Sequence, residues 1–154
     1  MNGYLCDGSS FKNVIHYYAN ELENIADTTS LFFLNSQVIP FKDDIDDYTL
    51  KMTPQTFDKL GGNTSSSSLD KMLGMVINNM NNSTVSVFVS DCILGVPYGQ
   101  ADKYFSIAKD NVKKLFVNAL KKHKDLGVEI FCLNSRFKGK YYQYGKTPQQ
   151  IDTQ

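Results

Sequence analysis

The stretch Thr84-Val85-Ser86-Val87-Phe88-Val89-Ser90-Asp91 is a run of mostly apolar, β-branched and aromatic residues that ends in a carboxylate. This composition is typical of a strand that helices cover on both faces of a sheet. Residues 128–133 form a second run of the same type, and helical periodicity precedes each run, at residues 69–80 and 105–119. The order of elements predicts a three-layer α/β domain with a mostly parallel sheet and helices on both faces.

The N-terminal part of the chain predicts local elements of a different kind. Apolar residues recur at three- and four-residue steps from about Ser10 to Ile25, which indicates an amphipathic helix. Two short β-type runs, residues 31–34 and 38–41, flank Asn35-Ser36-Gln37 and predict a strand that runs into a tight antiparallel turn.

Two shorter signals follow the predicted hairpin. Thr53-Pro54 resembles a helix start, because proline is tolerated in the first turn. Asp43, Asp44, Asp46 and Asp47 lack the ligand pattern and central glycine of an EF-hand, so they predict a solvated acidic loop.

Composition bounds the function classes. The chain has 154 residues with 16 basic and 16 acidic side chains, so a formal charge of zero provides no global field for nucleic acid or an anionic membrane. No apolar stretch reaches the ~20 residues that a bilayer span needs. Cys6, Cys92 and Cys132 have no CxxC spacing, which predicts free thiols in a reducing, cytoplasmic compartment. We expect residues 1–134 to form the α/β domain and residues 135–154 a C-terminal extension, as a final strand or packed segment.

Two positions carry oxygen ligands of the kind that hard divalent cations prefer. Thr64 lies in the glycine turn Gly61-Gly62-Asn63-Thr64, and Asp91 ends the predicted strand. Open α/β sheets bind ligands in the loops beyond the carboxyl ends of their strands. We therefore expect Thr64 and Asp91 to converge on one metal site. The structural alternatives are a helix N-cap for Thr64 and a strand-end turn for Asp91.

Three segments together resemble a von Willebrand factor A domain. The glycine turn with Thr64 is similar to the second metal-site segment of that family, and Phe88-Val89-Ser90-Asp91 is similar to the third. Residues 31–41 are similar to the preceding hairpin. The resemblance implies a protein-interaction module, not an enzyme, that binds Mg²⁺ or another divalent cation. It further implies Thr64 as a direct ligand, Asp91 as a direct or water-mediated ligand, and a partner protein that supplies a carboxylate.

The family's first motif, Asp-x-Ser-x-Ser at the end of its central strand, has no complete copy here. Asp7-Gly8-Ser9-Ser10-Phe11 places Phe11 where the second serine belongs, whereas Met1-Asn2-Gly3-Tyr4-Leu5 resembles the residues that follow the motif. On this alignment the central N-terminal strand and most metal ligands are missing. We therefore expect a partial or degraded metal site and a sheet that is open to self-association.

Two other functions are compatible with the sequence. A phosphate- or nucleotide-binding α/β domain would use the loop from Gly61 to Ser66, where the N–H groups of a helix start attract anions, although the P-loop lysine is missing. A hydrolase would pair Cys92 with His16 or His123. His16 lies beside the apolar stripe of a helix and His123 at a lysine-rich helix end, so structural roles are favoured for both.

Overall fold

The computed structural model describes residues 2–6, 10–61, 68–93, 100–141, 147 and 149–153. The chain divides into two compact units. Unit 1 comprises Met1–Gly62 and Leu133–Gln154, and unit 2 comprises Asn63–Cys132. The separation of residues 1–134 from an extension at residues 135–154 stays a prediction.

Unit 1 is built from short helices and two antiparallel hairpins. Its elements are a 3₁₀ helix (Asn2–Leu5), α1 (Phe11–Ile25), β1 (Leu31–Leu34), β2 (Val38–Phe41), α2 (Ile45–Lys51), α3 (Pro54–Lys59), β3 (Lys138–Tyr141) and β4 (Gln149–Asp152). Strand β1 pairs with β2, and β3 pairs with β4. The predicted first helix, the first hairpin and the helix start at Thr53-Pro54 are confirmed.

The turn of the first hairpin is closed by Asn35. Its side-chain Oδ1 accepts a hydrogen bond from the Gln37 N–H at 2.9 Å, and its own N–H donates to the Gln37 carbonyl at 3.1 Å. An asparagine that binds the backbone two residues further on favours a tight turn. The resulting register pairs Leu31 with Phe41 and Leu34 with Val38.

Four aromatic rings form the core beside this hairpin, with Phe33 at the centre. The Phe33 ring stacks on Tyr48 at 4.7 Å between centroids and meets the edges of Phe41 at 5.7 Å and Phe57 at 5.2 Å. Tyr48 also donates its hydroxyl proton to the Phe32 carbonyl at 2.8 Å. These contacts join β1 and β2 to α2 and α3, because each ring comes from a different element.

The loop predicted at the four aspartates is wrong in part, because Asp44 is the N-cap of α2 and Asp46 and Asp47 lie in its first turn, whereas Asp43 precedes the helix. The Asp44 carboxylate caps the helix by accepting from the Asp47 N–H at 2.7 Å. Asp46 and Asp47 occupy the first turn, where negative charge is favoured by the helix dipole. Lys51 closes the other end of the helix by contacting Asp43 at 2.6 Å and Asp47 at 3.3 Å.

The described part of unit 2 contains two helices, α4 (Leu69–Asn78) and α5 (Ala101–Lys122), as the periodicity predicts. Gly74 of α4 is buried, and a Cβ at this position would lie 3.5 Å from a methyl group of Leu115 on α5. Asn111 of α5 donates to the Asp70 carboxylate at 2.7 Å. Burial alone would raise the pKa of Asp70, but hydrogen bonds from Asn111 and Ser68 outweigh it and hold the pKa below its usual value.

The predicted three-layer, mostly parallel sheet is wrong. In the described part of the chain, the strands form two sheets of two antiparallel strands each, beside five α-helices. Residues 85–89 and 128–133 belong to no strand. Their pattern reports a preference for extended backbone, but a sheet also requires a hydrogen-bonding neighbour, and the described residues provide none for either run. None of the described helices is long and apolar enough to cross a membrane.

We predict that Phe33→Ala destabilises the protein by about 3–5 kcal/mol, because it removes the central ring of the core. The matched control is Phe32→Ala on the same strand, since Phe32 is 42% exposed and Phe33 only 4%. The control should cost about 1 kcal/mol or less. Urea unfolding followed by circular dichroism measures both changes, and equal losses would contradict a core centred on Phe33.

We predict a pH-dependent effect of Tyr48→Phe. Burial raises the pKa of Tyr48 to about 12, so the protonated phenol is favoured in the folded state. Its contribution is full below the unfolded pKa of about 10 and is lost as the pH rises towards 12. At pH 7 the wild type should be more stable than the variant by about 0.5–1.5 kcal/mol, the value of one hydrogen bond.

Urea unfolding at pH 7 and at pH 11 measures this difference between the two proteins. The advantage of the wild type should shrink at the higher pH. The raised pKa of Lys51, which its hydrogen bond to Asp43 causes, is common to both proteins and cancels. If the stability difference between wild type and variant does not change with pH, the raised pKa of Tyr48 is refuted.

Candidate functional site

The structure describes only one of the two predicted metal ligands. Asp91 lies at the turn that follows residues 84–90, whereas Thr64 lies outside the described residues, as do Gly62 to Ser66 of the alternative phosphate loop. Their convergence on Mg²⁺ therefore stays a prediction. Within the described ranges, no group of three or more histidine, cysteine, aspartate or glutamate side chains could hold a metal ion.

Asp91 takes part in a compact turn. Its Oδ1 accepts a hydrogen bond from the Ile93 N–H at 3.2 Å, and the Ser90 hydroxyl accepts from the Cys92 N–H at 3.0 Å. Between these bonds Cys92 has a φ of 52°, in the left-handed region that non-glycine residues rarely adopt. In turns of this kind, a serine or aspartate side chain accepts a hydrogen bond from the backbone N–H of the residue two positions later. The turn role that the sequence offered for Asp91 is therefore present.

The two histidines are bound to structural partners. The His16 Nε2 lies 2.7 Å from an Asp46 carboxylate oxygen and links α1 to α2. The His123 Nδ1 lies 2.7 Å from the Asn82 side-chain oxygen, at the C-terminal end of α5. Both contacts agree with the structural roles that the sequence favoured over pairing with Cys92. The absence of enzymatic activity stays a prediction.

The most exposed apolar residues of unit 2 lie on two segments outside the helices and strands, residues 84–93 and 128–132. We call these two segments the extended surface. Large side chains on it are widely open to solvent: Val85 is 78% exposed, Ile130 86% and Phe131 69%. In the described part of the chain no strand pairs with either segment. Large apolar side chains that gather along one stretch of chain in contact with water are a feature of interaction sites.

The charge of this surface is also unusual. Asp91 and Glu129 are the charged residues in the two segments, and neither segment contains lysine or proline. Natural proteins place lysine, proline or bulges on open strand edges to prevent pairing with other chains. The sequence located both segments and their β-type character but assigned them to the interior of a sheet.

Comparison of the chain with models of protein families, with curated proteins and with solved structures finds no match. The resemblance to a von Willebrand factor A domain stays an interpretation of three short segments. The three-layer sheet that it implies is wrong.

Proposed function

We propose that this chain is a protein-interaction module that binds its partner by strand pairing along the extended surface. The observation that carries the proposal is the exposure of Val85, Val87, Ile130 and Phe131 on backbone that no described strand pairs. A partner strand would satisfy the backbone groups and cover the apolar side chains in one step. Addition of a strand to an open edge is a recurring mode of protein recognition.

Apolar burial supplies the driving force for this mode of binding. Each large apolar side chain gains about 1.5–3 kcal/mol when it moves from water into an interface. Ordering the extended backbone costs about 1–2 kcal/mol per residue, so a partner must cover several side chains before binding is favourable. The alternation of Val85, Ser86 and Val87 helps, since successive side chains of an extended segment point to opposite faces. A partner that packs on the valine face covers both valines.

Backbone pairing determines which partners fit. The partner must itself offer an unpaired strand edge with apolar side chains at alternate positions, because the extended surface carries few charges to match. A second copy of this chain meets the requirement, as does a β-rich protein of another sequence. Both cases use the same contacts, and the size of the complex distinguishes them.

We predict that Val87→Lys weakens partner binding at least tenfold. A lysine on the valine face must be desolvated on pairing, which should weaken binding at least tenfold, or about 1.4 kcal/mol. Ser86→Lys is the matched control, because it adds the same charge at the next residue on the opposite face. The tagged full chain is used to retain proteins from an extract of its own cells, with quantification by mass spectrometry.

Sedimentation velocity of the same three purified proteins tests pairing with a second copy. We expect a set of retained proteins, or a dimer, that is common to the wild type and Ser86→Lys and reduced in Val87→Lys. Circular dichroism confirms that each variant is folded. Equal retention by Val87→Lys and the wild type, with no change in sedimentation, would refute strand pairing at this surface.

A further inference from the structure

A second candidate site lies in unit 1. It is an open cleft of about 500 Å³, and it shares no residue with the extended surface of unit 2. It lies beside the 3₁₀ helix, the first turns of α1 and α3, and the start of β3. The Tyr4 ring joins the 3₁₀ helix to α1 and to the residue before β3, since it packs against Phe11 at 5.9 Å and Phe137 at 5.0 Å between centroids. The lining residues are Leu5, Cys6, Lys12, Thr53, Pro54, Gln55, Arg136 and Lys138.

Every charged residue in this lining is a cation. Lys12 comes from α1, whereas Arg136 and Lys138 come from the chain at β3, more than 120 positions away. Asp152, which is not part of the lining, contacts Arg136 and Lys138 with its carboxylate. It accepts from the Arg136 Nε at 3.0 Å and Nη2 at 2.9 Å, and it lies 3.8 Å from the Lys138 Nζ. Among the described residues, the three cations of the lining and the carboxylate of Asp152 leave two excess positive charges, although the whole chain has a formal net charge of zero.

The pairing with Asp152 positions Arg136 without using all its donors. A guanidinium group has five N–H donors, and the two bonds to Asp152 occupy two of them. Two parallel bonds to one carboxylate fix the plane of the guanidinium group. Lys12 has no hydrogen-bond or ion-pair partner among the described residues, so its ammonium group can turn towards a ligand.

We propose that this cleft binds a small phosphorylated organic molecule. A phosphate monoester carries nearly two negative charges at pH 7, which match the two excess positive charges of Lys12, Arg136 and Lys138. The volume falls within the range of about 300–1,000 Å³ that is usual for small-molecule pockets. Gln55 and the ring of Pro54 line the remainder of the cleft and would contact the organic part.

The chain provides its own reporter, because Cys6 lies in the lining. Cys92 and Cys132 are exposed and can be replaced by serine, which leaves Cys6 as the single thiol. Iodoacetamide is uncharged, so its rate of reaction with Cys6 reports access to the cleft without attraction to the cations. The probe is ribose 5-phosphate, with ribose and inorganic phosphate as comparisons, at constant ionic strength because exposed charges are screened by salt.

We predict that ribose 5-phosphate slows the alkylation of Cys6 in a saturable way, whereas ribose does not. Lys12→Gln and Lys138→Gln should each raise the half-saturating concentration about fivefold or more, the effect of removing one unit charge about 4 Å from the phosphate at the surface. Lys59→Gln is the matched control, because Lys59 lies in the same unit outside the lining. It should leave the half-saturating concentration unchanged.

Three results would overturn the assignment. Equal weakening by Lys59→Gln would reveal a general field instead of a site, and equal affinity for inorganic phosphate would leave no role for the organic part. The third result combines two measurements: ribose 5-phosphate neither protects Cys6 from alkylation nor releases heat in a calorimetric titration. The calorimetry is needed because a ligand could bind without covering Cys6. The proposal does not depend on strand pairing, so Val87→Lys should bind ribose 5-phosphate like the wild type.

Discussion

The described structure depends on one constraint. Each segment with a preference for extended backbone needs a hydrogen-bonding strand, and the partner is found only where it lies nearby in the sequence. Strand β1 finds β2 across the three residues Asn35 to Gln37, so the two pair at little cost in chain entropy. Residues 84–93 and 128–132 are about forty residues apart and would need a crossover through α5 to pair with each other. In the described part of the chain, local strand pairing is therefore satisfied, whereas the long-range pairing that a parallel sheet requires is not present.

The aromatic core follows from the first hairpin. Once Phe33 is fixed on β1, the rings of Phe41, Tyr48 and Phe57 can close around it from three other elements. Unit 2 has no comparable group of rings in its described part, and its helices meet through Gly74, Leu115 and the pair of Asp70 with Asn111. In unit 2 the large side chains of Val85, Ile130 and Phe131 stay widely exposed outside its described helices.

The sequence predicted the elements that local rules determine. Periodicity located α1, α4 and α5, and the spacing of two short β-type runs located β1 and β2. Helix α2 was missed because its aspartates were interpreted by their charge, whereas Asp44 acts as an N-cap that accepts from the Asp47 N–H. The sheet could not be predicted, since composition indicates which residues favour extended backbone but not which segment will pair with them.

The candidate sites show the same limit. The β-type character of residues 84–93 is visible in the sequence, but their exposure depends on the absence of a neighbouring strand in the described chain. The cleft could not be predicted, because its lining brings Lys12 together with Arg136 and Lys138 from the far end of the chain. Asp91 was found from its place at the end of a β-type run, and its hydrogen bond to Ile93 gives it the turn role.

Hydrogen–deuterium exchange of the isolated chain, resolved by mass spectrometry of peptides, tests the central proposal that residues 84–90 and 128–132 are open to pairing with a partner. The amides of β1 and β2 should exchange slowly, because they are bonded to each other next to the Phe33 core. The amides of residues 84–90 and 128–132 should exchange within seconds in dilute solution. Slow exchange in both segments, at concentrations where the chain is monomeric, would place them in a sheet within the chain and contradict the account.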